Sequence, residues 1–433
     1  MSLPTELEEA IISHLADSKP DLRVCSLVCK SWLPKSRALL FHSLSTRPPT
    51  MLSSQSGHHH RLSTWLDPIR NVQSSPHLRF LLQRLTADCG HVPELTRLTF
   101  NTVRLQHLSR LWLCRNDFSQ FDLNLSLTRT LESSLSTLII DRTVFKNACQ
   151  LLHFLSSPCF SKLHSLSLTD ISYLLRSEKH SVNDAEVILD NWKSTTSLPL
   201  PLSSRSKIVL EQLEIGLIPE HNIFNVLYHS DSPFDWSRLR KIVFFRIWDN
   251  TLIQGFLNGH FPALKSIAFE KSAKMYHFAS SGAFTGIIDN SSILSNLTDL
   301  SLGFDFSNDD IESLKDITRE VDGSETISRL NKVDLILPVD LKLQGDPHSM
   351  IPTADGWKLL PELIGKAVAV LSQLASLPSV ERVQLIVPFS TALSEQLRCG
   401  VKNRCNSLFL SPGSPKILME YREVDIVREP FSG

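Results

Sequence analysis

Short leucine-rich segments of the form L-x-x-L-x-L, with other apolar residues at some leucine positions, recur along the chain from residue 95 onward. A composition this rich in leucine produces such matches by chance, so the matches alone establish little. Their spacing is more informative, because six of the nine intervals between successive segments fall between 25 and 33 residues. A steady interval of this size predicts stacked repeats. The ten segments occupy 95–100, 108–113, 135–140, 163–168, 210–215, 239–244, 264–269, 297–302, 330–335 and 380–385.

Helix-like apolar runs lie between these segments, for example at 145–155, 221–229, 250–261 and 309–321. The alternation predicts a parallel sheet, because a crossover between parallel strands needs about a dozen residues and is commonly a helix. The period is close to the roughly 20 to 29 residues of leucine-rich repeats. We therefore predict an α/β fold over 77–433, an irregular leucine-rich-repeat-like solenoid with a parallel sheet and helices on the convex side.

Two features make the predicted solenoid irregular. Two intervals are too long for one repeat and place insertions near 176–206 and 338–378, the second of which includes a helix-like run that begins at Trp357. The asparagine that leucine-rich repeats place three residues after the last leucine occurs only once, at Asn116. The repeats are degenerate, and their true number stays open.

Residues 1–45 predict a separate helical block. Pro4 suits a first helical position, and Leu7, Ile11 and Leu15 recur at the spacing of one helix face. Pro20 and Asp21 mark the start of a second helix, Pro34 marks a third, and Trp32 lies between them. Three short helices bury too little surface for much independent stability, so this block is suited to docking on something else.

The sequence of this block resembles an F-box of the fungal type over residues 3 to about 44. The matching elements are Leu3-Pro4, Glu6-Leu7, Ile11, Leu15, Asp21-Leu22, Ser26 to Lys30, Trp32, and Ser36 to Phe41. A long link between the first two helices departs from the pattern at a place where F-boxes vary. The resemblance implies docking on a Skp-type adaptor through Leu3, Pro4, Leu7, Ile11, Leu22, Val28 and Trp32. The same residues could also form the core of a small helical bundle, and the two roles are compatible.

The resemblance also implies a function. F-box proteins with leucine-rich repeats are substrate receptors of SCF-type cullin–RING ubiquitin ligases, so this chain is expected to bind the adaptor, through it a cullin, and a protein substrate. It would perform no covalent chemistry itself. Two alternatives remain: an F-box and repeat scaffold that acts outside a ligase, or a cryptic enzyme in the insertions.

The substrate-binding surface is predicted on strand positions that point away from the helices, because repeat solenoids bind partners on an extended face of this kind. Tryptophan, tyrosine and arginine are frequent anchors at protein interfaces. Packing of these aromatic residues beneath an inserted loop is an equally good interpretation. The predicted patch comprises Trp112, Arg115, Phe245, Arg246 and Trp248.

No catalytic or cofactor motif is present in the sequence. Phosphate-binding loops, the G-x-S-x-G elbow, H-E-x-x-H and EF-hand loops are all missing, so no enzyme activity and no cofactor are predicted. Basic residues around Cys399 and Cys405 could activate a thiol, but incidental surface thiols are the better interpretation. The three histidines at 58–60 do not share one face of a helix or strand, so no metal site is expected there or at the cysteines.

Charge and hydropathy narrow the partners and the compartment. The formal net charge of −1 gives no general attraction to nucleic acid or to an anionic membrane surface. No apolar run approaches the roughly 18 residues that would span a bilayer, and the N-terminus lacks the features of a secretory signal. We therefore expect an intracellular protein, in the cytoplasm or nucleus, with its eight cysteines reduced. Residues 46–76 are rich in serine and proline and are predicted to be a linker.

Overall fold

The fold is that of a mixed α/β protein built on parallel strands, as a computed structural model shows. Contacts divide it into two compact units, one formed by Met1–Leu210 with Ile218–Asp235 and the other by Glu211–Leu217 with Trp236–Gly433. The structure describes 4–16, 18–46, 67–75, 80–91, 107–120, 134–174, 207–216, 232–245, 259–270, 296–303, 329–336, 379–390 and 417–424, together with single residues and short pieces between these ranges.

The first unit begins with three short helices, α1 (Thr5–His14), α2 (Lys19–Val28) and α3 (Trp32–His42). Glu6 and Glu8 lie in the first turn of α1, where negative charge complements the helix dipole, and a proline lies near the start of α2. Helix α3 packs against both other helices. The side chains buried in this block are few: Ile12, Leu22, Cys25 and Ser36.

Helix α3 leads directly into a parallel sheet. The strands are β1 (Ser43–Thr46), β2 (Arg84–Asp88), β3 (Arg110–Cys114), β4 (Thr137–Asp141) and β6 (Ser165–Thr169), paired in that order. Helix α4 (Asp67–Ser74) precedes β2. Strand β1 and α4 therefore lie at either end of the segment predicted to be a linker, and most of that segment lies outside the described residues.

The register of this sheet aligns one leucine position in every repeat. Leu85, Leu111, Leu138 and Leu166 are neighbours across β2, β3, β4 and β6, and all four are buried. They are 26, 27 and 28 residues apart along the chain. This regular period confirms the stacked-repeat interpretation for the first unit.

The predicted strand at 95–100 is wrong. Pro93 and Thr96 are helical, and the strand of this repeat is β2, one segment earlier. Strand β2 carries Leu82 and Leu85 but has Ala87 where the pattern requires a large apolar residue. The correction removes the one short interval of 13 residues between predicted segments, because the alanine packs into the core as the leucines do.

The connection between β4 and β6 shows how one repeat is built. It contains β5 (Val144–Phe145), helix α5 (Ala148–Leu155) and a 3₁₀-helix at Pro158–Phe160, and β7 (Ser172–Tyr173) then pairs with β5. Asn147 caps α5 by accepting a hydrogen bond from the Gln150 N–H at 2.9 Å. Four phenylalanines stack in the core beneath the sheet: Phe118, Phe145, Phe154 and Phe160. A small pair, β8 (Ile208–Val209) with β10 (Phe234–Asp235), completes the described strands of this unit.

The second unit repeats the arrangement with seven parallel strands in chain order among its described residues. These are β9 (Gln212–Gly216), β11 (Lys241–Phe245), β12 (Ser266–Glu270), β13 (Asp299–Gly303), β14 (Lys332–Ile336), β15 (Arg382–Ser390) and β16 (Ile417–Val424). Ile242, Ile267, Leu300 and Val333 form its buried register row.

The helix predictions are confirmed where residues are described. Helix α5 falls within the run at 145–155, and single helical residues occur in the runs at 221–229 and 250–261. Helical residues at 371–372 and 374–376 belong to the run predicted from Trp357. The run at 309–321 and the insertion at 176–206 lie outside the described residues, as does most of the insertion at 338–378. No helix within the described part of the chain is long and apolar enough to cross a membrane.

Candidate functional site

Two patches of exposed apolar side chains lie on the N-terminal helices. On α1, Leu7 is 52% exposed and Ile11 is 42% exposed; on α2, Val24, Leu27 and Val28 are 63%, 85% and 58% exposed. Spacings of three and four residues make the members of each patch neighbours on their helix surface. Clusters of exposed apolar side chains of this kind mark interaction surfaces more often than isolated ones do.

The helical block is held together from its other side. Ile12 points inward next to the exposed Ile11, and Leu22 and Cys25 are buried on α2. The hydroxyl of Ser31 donates to Glu8 Oε2 at 3.1 Å, which ties α1 to the start of α3. Packing and docking therefore use different side chains of the same helices.

The structure separates the predicted adaptor-binding residues into two groups. Pro4, Leu7, Ile11 and Val28 are exposed, and Trp32 is half-buried. Leu22 is completely buried, so it packs the block and has no surface to offer a partner in this conformation. Leu3 lies outside the described residues.

Two exposed residues, Val24 and Leu27, were not among those selected from the sequence. Leu27 belongs to the stretch Ser26 to Lys30 that carried the F-box resemblance, and its spacing from Val24 and Val28 was the available signal.

A cluster of charged side chains lies in the first unit where β2, β3 and β4 end. Arg115 follows β3 and forms a bidentate ion pair with Asp88 of β2: Nε donates to Oδ1 at 3.0 Å and Nη2 to Oδ2 at 2.6 Å. Asp88 is buried, while Arg115 keeps about a third of its side chain exposed. The hydrogen bond to Asp88 raises the pKa of Arg115. This geometry is typical of strong, specific arginine–carboxylate pairing.

The next repeat builds a second pair of the same kind. Arg142 follows β4 and donates from Nε to Asp141 Oδ2 at 3.1 Å, and Thr169 Oγ1 donates to Asp141 Oδ1 at 3.0 Å. Cys114 lies between the pairs, with its Sγ 3.6 Å from Asp141 Oδ2. Burial, and then the charges of Asp88 and Asp141, raise the pKa of Cys114 to about 12. This thiol is therefore protonated and unreactive at neutral pH.

The residues that follow these strands have positive φ angles. Arg115, Arg142 and Asp170 have φ of 50°, 49° and 51°, and His91 has φ of 60° after β2. Their backbone N–H groups continue the ladder; for example, Arg115 N–H donates to Asp141 O at 3.0 Å. Side chains other than glycine adopt this region at a cost, and here the regular turn is stabilised by the ion pairs.

His91 lies beside this cluster. Burial lowers its pKa, the positive charge of Arg115 lowers it further, and Asp117 and Asp88 only partly oppose these effects. The imidazole is consequently neutral at pH values where an exposed histidine begins to be protonated.

Asn116, the single consensus asparagine, is buried where the repeat pattern predicts it. Its Nδ2 donates to Ala87 O at 2.9 Å and to Cys114 O at 3.0 Å, linking β2 to the turn after β3. Thr143 and Ile171 are buried at the corresponding positions of the next two repeats. Thr143 donates only to its own turn, at Asp141 O.

The predicted substrate patch is divided between the two units. Trp112, half-buried on β3, and Arg115, just after β3, belong to the first. Phe245 belongs to β11 of the second, where it is half-buried beside Gly216 of β9. Arg246 and Trp248 lie outside the described residues. Arg115 is engaged by Asp88, so its charge is already neutralised within the fold.

The second unit has polar side chains on the corresponding sheet face. Lys332 Nζ donates to Asp334 Oδ2 at 2.6 Å, and Gln384 contacts both Arg382 and Glu420. Asp334 and Gln384 are buried. The described residues of both units contain no group of three histidine, cysteine, aspartate or glutamate side chains that could hold a metal ion. Cys399 is exposed, whereas Cys405 and the histidines at 58–60 lie outside the described residues.

Similarity to known proteins adds no assignment to these surfaces. No model of a known protein family matches the chain, and no curated protein matches it either. The roles of the apolar helix patches and of the sheet face are therefore argued from their geometry and from the sequence of the helical block.

Proposed function

We propose that the chain is the non-catalytic substrate-recognition subunit of an SCF-type E3 ubiquitin ligase. The N-terminal helices would form an F-box that docks on a Skp-type adaptor and through it on a cullin. The parallel-strand units would form a leucine-rich-repeat-like solenoid, with helices on its convex side, that holds a protein target inside the cell. The observation that carries the proposal is the exposed apolar surface of α1 and α2 in a block whose sequence resembles an F-box.

The size of these patches is suited to a docking role. Complete burial of one such side chain contributes about 1.5 to 3 kcal/mol, so covering the remaining exposed half contributes about 1 kcal/mol each. The five exposed side chains together provide about 5 kcal/mol. Association itself costs at least about 4 kcal/mol, so the patches act as an anchor and polar contacts around them must supply the remaining affinity.

The chemistry of such a receptor is proximity. Joining an adaptor-binding module to a target-binding module raises the effective concentration of target lysines near the ubiquitin-carrying enzyme of the assembly. The receptor needs no nucleophile of its own. The raised pKa of the buried Cys114 thiol is consistent with this role, because it keeps that cysteine protonated.

The test uses the full chain and a purified Skp-type adaptor. Leu7→Asp combined with Ile11→Asp places two unpaired charges where apolar contact is expected, and each charge costs several kcal/mol when it is desolvated. We expect adaptor binding to fall by at least about a hundredfold. Thr5→Asp combined with Ser13→Asp is the matched control, since it adds the same charge at exposed positions of the same helix.

The proposal fails if the unmodified chain does not bind the adaptor, or if the apolar double variant binds as tightly as the control. Circular dichroism of both variants establishes that α1 remains folded. Recovery of a cullin with the chain from cells separates a ligase receptor from the alternative scaffold, which would recover the adaptor alone.

A further inference from the structure

Two exposed arginines face each other at the start of the sheet in the first unit. Arg84 of β2 and Arg110 of β3 are register partners, and neighbouring strands are about 4.8 Å apart. Among the described residues, no carboxylate forms an ion pair with either guanidinium. Like charges directly opposite on a sheet are destabilising, so the fold retains an arrangement that its own stability does not favour.

The surroundings of this arginine pair add positive charge. Lys19 of α2 donates from Nζ to the carbonyl of Ser43 at 3.1 Å, and Ser43 is the register partner of Arg84 on β1. The adjacent His42 has a lowered pKa, through burial and then through the charge of Arg84, and is neutral. Three cations therefore follow one another across β1, β2 and β3.

The acidic side chains on these strands lie at the other end. Asp88 and Asp141 are the last residues of β2 and β4, and each is engaged by an arginine that follows a strand, Arg115 or Arg142. Strand positions 84 and 88 are about 13 Å apart, so these carboxylates do not neutralise the arginine pair. One end of the face is closed by internal ion pairs and the other end presents unneutralised charge.

An apolar floor lies next to the arginine pair on the same face. Trp112 is two residues beyond Arg110, and its register partner on β4 is Ile139; both are half-buried. The Trp112 indole Nε1 is buried and has no hydrogen-bond partner. An unsatisfied donor of this kind costs about 1 to 3 kcal/mol, so a reorientation that gave it an acceptor would be favoured.

We propose that this face binds an acidic, extended peptide segment of the target protein. Arg84 and Arg110 together hold one aspartate or glutamate carboxylate of that segment. The residue two positions along the segment, about 6.8 Å away, packs on Trp112 and Ile139. The recognised pattern is then acid, any residue, apolar residue. This inference rests on the proposed function, because it names the class of target that the receptor holds.

A peptide fits this face better than a nucleic acid does. A nucleic acid presents a phosphate at every nucleotide and is bound by a long series of cations. Here only three cations lie together, the Asp88 and Asp141 end of the face is neutral, and the whole chain has a formal net charge of −1. Paired guanidinium groups suit a single carboxylate, and the apolar floor suits a side chain.

The experiment measures fluorescence anisotropy of labelled synthetic peptides with the full-length chain at low and physiological salt. The probe is a Gly/Ser peptide with a central Glu-Ser-Leu sequence, and the reference peptides carry Gln-Ser-Leu or Glu-Ser-Ser instead. We expect saturable binding of the probe, and at least about tenfold weaker binding of both references, because each lacks one of the two contacts.

Variants separate a binding role from a structural one. Arg84→Gln with Arg110→Gln should weaken probe binding by at least about tenfold while leaving thermal stability unchanged or raised, since the like-charge repulsion is removed. Arg238→Gln with Lys265→Gln removes the same charge from exposed positions of the second unit and should leave binding unchanged. Trp112→Phe keeps the apolar ring but removes the N–H, and we expect it to weaken binding by severalfold.

Four outcomes would overturn the proposal: no saturable probe binding, equal binding of the Gln-Ser-Leu peptide, equal loss in the control variant, or tighter Arg84- and Arg110-dependent binding of a single-stranded oligonucleotide. Adaptor pull-down by the Arg84 and Arg110 double variant keeps the two proposals distinguishable. Failure of the peptide proposal with retained adaptor binding leaves the receptor function standing. Peptide binding without adaptor binding would refute the receptor function alone.

Discussion

Gly216 is the position where adding a single methyl group gives the most direct test of the second unit. It ends β9 and is the register partner of Phe245 on β11. A Cβ at this position would lie 2.5 Å from the Phe245 carbonyl oxygen and 2.7 Å from its Cβ. The nearest atom belongs to the backbone of a hydrogen-bonded neighbouring strand, so it cannot move aside as a flexible side chain could.

We expect Gly216→Ala to destabilise the protein by about 1 to 3 kcal/mol, the usual cost of forcing an extra methyl group into a packed region. The cost arises because β9 and β11 must separate by several tenths of an ångström, which also shifts the Phe244 ring that stacks on Phe269. Urea unfolding of the reduced protein measures the change, and the thermal midpoint should fall by about 2 to 4 °C for each kcal/mol.

Gly400→Ala is the matched control. Gly400 is helical, and a Cβ there would meet no atom within 4 Å. Alanine is a better helix former than glycine by about 1 kcal/mol, so this variant should be as stable as the unmodified protein or slightly more stable. Equal stability of the two variants would refute the assigned register of β9 and β11.

Two further predictions concern the charged cluster of the first unit. In a double-mutant cycle with Asp88→Asn and Arg115→Gln, urea unfolding should give a coupling free energy of about 1.5 to 3 kcal/mol, because the bidentate pair is largely buried on its acidic side; a coupling near zero would show that the pair does not form. The lowered pKa of His91 means that the unfolded chain binds a proton more readily than the folded one, so stability is present above about pH 6.5 and is lost as pH falls below it; His91→Gln should flatten this part of the unfolding profile, and an unchanged profile would contradict the assignment.

The spacing of apolar residues predicted most of the fold. Nine of the ten predicted segments coincide with strands of the structure, because each places two large apolar side chains in the core at a two-residue interval. The pattern failed at β2, where Ala87 occupies a core position that the search required to be large. Strand β1 was missed because Leu44 follows the helical block without a turn signal. The last strand, β16, was also missed.

The docking residues could be predicted only in part. Helical spacing places Leu7, Ile11 and Leu22 on apolar stripes, but it does not say which stripe faces the interior when three helices pack together. The structure buries Leu22 and leaves Ile11 exposed. That choice depends on how α3 packs against α1 and α2, and the pattern within any single helix carries no information about it.

The candidate binding face illustrates a second limit, which is strand register. Sequence reasoning placed Arg110 on the outward face of its strand but preferred Arg115, because arginine next to aromatic residues is typical of interfaces. The structure distinguishes the two arginines by their neighbours: Asp88 lies beside Arg115, whereas Arg84 lies beside Arg110.

Both neighbours come from β2, the strand that the leucine pattern missed, so neither relation was visible from the sequence. The two ends of β3 therefore have opposite roles. At its carboxyl end, arginine charge is used within the fold to stabilise strained turns, and at its amino end the charge remains free for a ligand. A substitution at Arg115 should consequently affect stability first, and a substitution at Arg110 should affect binding first.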